Sequence, residues 1–149
     1  MYVPGRLIFF DPFFFKDGGS KPKYFLVLKV IDSTAILASL PSSQSHLPAT
    51  QEIKHGCLEL PESCINCYIF EAKTPVTKSG WSFPLHTFMH GLWLDDFLIE
   101  DLQANYPIEN VDYEVIGELL DDELDKIISE NYFMEKLLCC TTMIFVNFN

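Results

Sequence analysis

Apolar residues in the first two thirds of the chain occur in short runs separated by turn residues. The clearest run, residues 23–31, is rich in aromatic and β-branched residues, which predicts a β-strand. Residues 34–40 follow after a tight turn, so the two runs predict a hairpin. Shorter strands are predicted at 6–10, ended by Asp11-Pro12, at 67–70 and at 81–83, with loops at 13–22 and 41–50. Many short strands at this spacing favour a small all-β barrel over alternating βαβ units.

The hydrophobic period changes in the last third, where apolar residues recur at intervals of three and four. Asp121 and Asp122 stand where a helix cap and an acidic first turn are expected. We predict an amphipathic helix that packs on the barrel and exposes its acidic residues. Residues 137–148 are apolar and fit either a last strand or an extension of that helix. The apolar stripe of the helix comprises Leu119, Leu120, Leu124, Ile127 and Ile128.

Length and composition indicate one globular domain spanning residues 1–149. Residues 1–94 are predicted to form most of the β-barrel, and residues 95–149 an acidic helical part followed by an apolar tail. With 48% hydrophobic and only 21% charged residues, extensive disorder is excluded. We expect a cytoplasmic protein that does not enter membranes, because no apolar run approaches the roughly 18 residues of a spanning helix. The start of the chain does not resemble a signal peptide, and five cysteines, an odd number, favour reduced thiols.

The net charge of −11 is unevenly distributed. Residues 1–94 carry eight basic and seven acidic side chains, whereas residues 95–149 carry two basic and fourteen acidic ones. Acidic bulk charge argues against nucleic-acid binding, because phosphate contacts need local positive potential. The asymmetry weakens this objection for the nearly neutral first two thirds of the chain.

One pattern resembles a zinc site: His55, Cys57, Cys64 and Cys67 have the spacing H-x-C-x6-C-x2-C. Thiolates and an imidazole within such reach can bind tetrahedral zinc. Free cysteines next to apolar residues also behave as small core residues, and only the second pair has the spacing of a tight knuckle. We therefore expect core cysteines and no metal or other cofactor, with zinc as the alternative.

Polar residues also cluster around the predicted central hairpin. Lys21 and Lys23 lie where one strand starts, and Ser42, Ser43 and His46 lie just after its partner ends, so they should share one rim of a barrel. Cleavage of RNA by its own 2′-hydroxyl needs a proton acceptor, a cation facing the phosphate and a donor for the leaving oxygen. This set can supply these groups without a metal, and the alternative interpretation is an ordinary polar loop edge.

Several segments follow one another in a particular order: 5–10 (GRLIFF), 17–19 (DGG), 21–28 (KPKYFLVL), 36–50, and 115–124. Over about residues 5–50 and 111–128, this order resembles the PemK/MazF-like toxins of type II toxin–antitoxin systems. The resemblance implies an SH3-like barrel with one or two packed helices, usually a homodimer. It also implies metal-independent cleavage of single-stranded RNA and neutralisation by an antitoxin protein.

The resemblance assigns roles to particular residues. The arginine that the family uses for catalysis falls on Lys23, which keeps the charge but lacks a planar fork for phosphate. The family's threonine falls on Ser42, or on Ser43 with a shift of one residue. His46 is the nearby group suited to proton transfer near neutral pH.

Two further lysines, Lys16 and Lys21, are expected to bind RNA outside the reacting bond. The alternative function is a catalytically inactive barrel of the same superfamily that acts as a protein-binding or regulatory module. Such a module would use the aromatic residues 13–15, or Trp81 and Trp93, to hold its partner.

Overall fold

The computed structural model describes residues 2–43, 47–60, 65–90 and 94–128. Within these ranges the chain is mainly β, as predicted, and it has two short helices. The strands and helices are β1 (Arg6–Phe14), β2 (Ser20–Ile31), β3 (Thr34–Leu40), β4 (Gly56–Leu60), β5 (Ile65–Phe70), β6 (Thr87–His90), β7 (Leu94–Leu98), α1 (Ile99–Asn105), β8 (Tyr113–Glu118) and α2 (Asp121–Ile128).

Five strands form an antiparallel sheet in the order β7-β3-β2-β1-β8. Both faces of this sheet are buried, which explains why β2 is a nearly continuous apolar run rather than an alternating one. Leu26 points into one core and its neighbours Phe25 and Val27 into the other. The second core is covered by α1 through Leu102 and by Tyr106.

The remaining three strands form a smaller antiparallel sheet in the order β4-β5-β6. Tyr68, Phe70 and Met89 of this sheet pack against the first core, so the two sheets bury a common apolar layer. The backbone N–H of Phe88 donates to the carbonyl of Pro41, 2.9 Å away, and joins the start of β6 to the end of β3. In the described ranges the strands thus form two open sheets, whereas we expected one closed barrel.

The predicted C-terminal helix is confirmed as α2, and the prediction for its apolar face is corrected in part. Ile127 is buried and Leu124 packs beside it on the layer between the sheets. Leu120 and Ile128, predicted for the same face, are exposed. α1 was not predicted, because its seven residues are too few for the helical period to stand out.

Several predicted strand limits are also corrected. β1 does not end at Asp11-Pro12 but continues to Phe14 through an irregularity in its pairing with β2. A bulge tolerates proline because the bulged residue makes no backbone hydrogen bond to the neighbouring strand. β4 and β6 were not predicted, and residues 81–83 contribute only an isolated bridge between Ser82 and Pro75. The apolar residues 137–148 lie outside the described residues.

No helix in the described ranges is long and apolar enough to cross a membrane.

Candidate functional site

The register of the central hairpin brings the start of β2 and the end of β3 together. Tyr24 pairs with Leu40, so the residues before Tyr24 lie opposite those after Leu40. A pocket of about 380 Å³ opens at this end of the sheet. Four of the residues singled out in the sequence line it: Lys21, Lys23, Ser42 and Ser43. We call this pocket the hairpin cleft.

The other walls of the hairpin cleft are mostly apolar. Phe9 and Tyr24 contribute rings whose centroids are 4.6 Å apart, and Leu85, which also lines the cleft, is largely exposed. The cleft therefore combines cationic and hydroxyl groups with apolar surfaces large enough to contact a nucleobase or another flat ring. Its remaining lining residues are Pro22, Leu40, Pro41, Pro84 and Thr87.

The two lysines of the cleft have different surroundings. Lys23 is half-buried, and its pKa is lowered, first by this burial and second by the charge of Lys21. Lys21 is exposed, and its ammonium lies 5.6 Å from the ring centroid of Phe15. An anion bound beside Lys23 would compensate the loss of hydration that disfavours its charged form.

Of the predicted site residues that the structure describes, Lys16 does not line the cleft. Lys16 lines a different pocket, and its Nζ lies 3.7 Å from a carboxylate oxygen of Asp95. Lys16, expected to bind RNA, therefore lies apart from the lysines of the cleft. His46, predicted to transfer protons, lies outside the described residues.

The zinc pattern does not assemble in the part of the chain that the structure describes. Cys57 pairs with Tyr68 and Leu58 pairs with Cys67, so the two thiols are directed to opposite faces of the smaller sheet. Cys67 is buried, as expected for a core cysteine, whereas Cys57 is exposed and the prediction that it lies in the core is wrong. No group of three potential metal ligands occurs among the described residues, and Cys64 lies outside them.

The fourth residue of that pattern, His55, belongs instead to a buried hydrogen-bonded network. Its Nε2 lies 2.6 Å from Oε1 of Glu123, and the hydroxyl of Tyr68 donates to the second oxygen of the same carboxylate. Glu123 is only 7% exposed although it lies on the acidic helix α2. The network fastens α2 to the smaller sheet, and we call it the carboxylate clamp.

The hydrogen bonds of the carboxylate clamp specify its protonation. The backbone N–H of Glu71 donates to Nδ1 of His55 over 3.1 Å, so Nδ1 accepts and Nε2 carries the proton that is donated to Glu123. The pKa of Tyr68 is raised, first by burial and then by its hydrogen bond to the Glu123 carboxylate. Both side-chain donors of the network, the Tyr68 hydroxyl and the Nε2–H of His55, thus point at one carboxylate.

Sequence reasoning missed this network because it assigned all acidic residues of α2 to the solvent face. A signal was present: Glu123 precedes Ile127 by four residues, so both lie on one side of the helix. Since Ile127 faces the core, Glu123 lies on the side of the helix that faces it.

No protein-family model matches the chain, and no curated protein or solved structure is significantly similar to it.

Proposed function

We propose that this protein is a metal-independent endoribonuclease of the PemK/MazF-like type, with a fold related to the SH3-like barrels, that cleaves single-stranded RNA in the hairpin cleft. One observation carries this proposal. Lys21, Lys23, Ser42 and Ser43 come from two separate segments and line the same pocket. The cleft thereby combines phosphate-binding groups with apolar walls for an unstacked base.

The cleavage chemistry assigns each group one role. The 2′-oxygen attacks the adjacent phosphorus and loses its proton, and the bond from phosphorus to the 5′-oxygen of the next nucleotide breaks. The products are a 2′,3′-cyclic phosphate and a 5′-hydroxyl end. Lys23 faces the negative charge that develops on the phosphoryl oxygens, and Ser42 or Ser43 orients the phosphate by hydrogen bonding. His46 is the proposed group for proton transfer: it accepts the proton of the 2′-hydroxyl, and the leaving 5′-oxygen takes up a proton from water.

The charge distribution favours a short RNA contact over a long one. Among the described residues that line the cleft, Lys21 and Lys23 are the cationic ones, and the last third of the chain is strongly acidic. We therefore expect binding to a few nucleotides with a shallow dependence on salt, because few counterions are released. In the same proposal the active form is a homodimer, and an antitoxin protein inhibits it.

The test is incubation of purified protein with a long single-stranded RNA in EDTA. We expect discrete cleavage that Lys23→Ala lowers by roughly 10²–10³-fold, the usual effect of removing one transition-state donor. Lys23→Arg, which restores the family's residue, should retain or raise the rate. Lys29→Ala is the matched control, since Lys29 is an exposed lysine of the same strand outside the cleft.

Equal cleavage by the wild type and Lys23→Ala would contradict the assigned role. Intact RNA with folded wild-type protein would contradict the nuclease itself and favour the alternative, a binding module of the same fold. One observation favours that alternative: Phe14 is 62% exposed, which is unusual for so large an apolar side chain.

A further inference from the structure

The hairpin cleft lies on one buried face of the five-stranded sheet, and a second pocket lies on the other. Its volume is about 410 Å³, within the range of small-molecule sites. Its floor is formed by the buried residues Phe13, Phe25 and Leu37. Its walls are Phe14, Phe15, Leu94 and Phe97, and we call it the phenylalanine groove.

The mouth of the phenylalanine groove carries a negative excess. Asp17, Asp95 and Lys16 are its charged lining residues, two acids against one base. Lys16 is paired with Asp95 at 3.7 Å, but the two side chains are 85% and 49% exposed, so this pair is weak and readily displaced. A ligand that reaches Asp95 can take the place of Lys16.

Several aromatic rings line the groove, and the face of an aromatic ring attracts a cation. One of them already accepts a cation within the chain, since the ammonium of Lys21 lies over the ring of Phe15. Phe13 and Phe97 meet edge to face with centroids 5.9 Å apart, so the neighbouring rings present faces in different directions. A positive charge among several ring faces gains more than at one exposed ring.

We propose that the phenylalanine groove binds a small organic ammonium ion with an aromatic or aliphatic body. The body would occupy the apolar floor, and the ammonium would lie between the ring faces and the Asp95 carboxylate. The groove and the hairpin cleft share no lining residue, so this proposal is independent of the nuclease proposed for the cleft. Its size fits one small molecule.

The test measures affinity by calorimetry for three probes that share a phenyl ring: phenethylammonium, the neutral 2-phenylethanol and the anionic 3-phenylpropionate. We expect the ammonium to bind about tenfold more tightly than the alcohol, and the anion more weakly than both. Equal affinities, or a preference for the anion, would overturn the proposal.

Charge variants make the test specific to the mouth of the groove. Asp95→Asn should lower ammonium affinity about three- to tenfold without changing binding of the alcohol, and its amide oxygen can still accept from the N–H of Asp96. Lys16→Gln should raise ammonium affinity, because the competing cation is gone. Asp96→Asn is the matched control, since Asp96 is an exposed neighbour that does not line the groove.

Two further measurements test whether the ring faces contribute beyond apolar contact and whether the groove is free in solution. Phe97→Leu should lower ammonium affinity while leaving 2-phenylethanol within about twofold, because leucine keeps the apolar contact and removes the π face. Sedimentation of the unliganded protein tests whether a second copy covers the groove. Self-association abolished by Phe14→Ser would assign the groove to a dimer contact and overturn the ligand proposal.

Discussion

The carboxylate clamp makes a sharp prediction about Glu123→Ala. In the folded protein Glu123 accepts from the hydroxyl of Tyr68 and from Nε2 of His55. The substitution removes the shared acceptor and leaves both donors facing an apolar layer. Tyr68 is fully buried, whereas the His55 side chain is 19% exposed and can regain water.

The size of the effect follows from these two environments. Orphaning a buried donor costs about 1–3 kcal/mol, and hydrogen bonds to a charged acceptor are worth about 1.5–3 kcal/mol each. Because water can replace part of the hydrogen bond that His55 loses, we expect the free energy of unfolding to fall by about 3 kcal/mol. This value is at the lower end of the range for breaking a buried charged contact. For a domain of this length, this corresponds to a fall in Tm of roughly 6–12 °C.

Urea unfolding followed by circular dichroism measures this loss. Asp122→Ala is the matched control, because Asp122 is an exposed acid on the same turn of α2 and should change stability by no more than about 0.5 kcal/mol. A double-mutant cycle with Tyr68→Phe should show coupling between Tyr68 and Glu123. Equal, small effects of Glu123→Ala and Asp122→Ala would refute the existence of the clamp.

Three further predictions concern other parts of the fold. Gly5→Ala should lower the free energy of unfolding, measured in urea, by more than about 1 kcal/mol. Gly5 has φ +89°, and a Cβ there would lie 2.9 Å from Leu124 Cδ2. Adding Leu124→Ala should remove the steric contact but leave the backbone strain. The pKa of Tyr68 is raised in the folded protein, so above pH about 10 this tyrosine ionises in the unfolded chain first. The free energy of unfolding should therefore be retained below that pH and fall above it. If Tyr68→Phe left the fall of stability with rising pH unchanged, this prediction would be wrong. Burial raises the pKa of Cys67 to about 11 while Cys57 is exposed, so peptide mapping after iodoacetamide at pH 8 should find Cys57 modified before Cys67.

Local patterns of the sequence were sufficient to predict the central hairpin and α2. The run at 23–31 and its partner at 34–40 are long, apolar and bounded by turn residues, and the structure has β2 and β3 there. The neighbourhood of Lys23 and Ser42 followed from the same information, because a hairpin joins the start of one strand to the end of the next. The two lysines and two serines of the hairpin cleft were therefore predictable before any tertiary contact was known, whereas the walls formed by Phe9 and Leu85 were not.

The tertiary structure decided what depends on contacts between distant segments. Glu123 bonds to Tyr68, 55 residues earlier in the chain, and to His55, 68 residues earlier. A local hydrophobic period cannot predict contacts between residues so far apart. The smaller sheet and the position of Lys16 beside Asp95 likewise depend on pairing between segments far apart in the chain. Periodicity records which side of a strand or helix is apolar, but the choice of neighbour across that side is made by packing the whole chain.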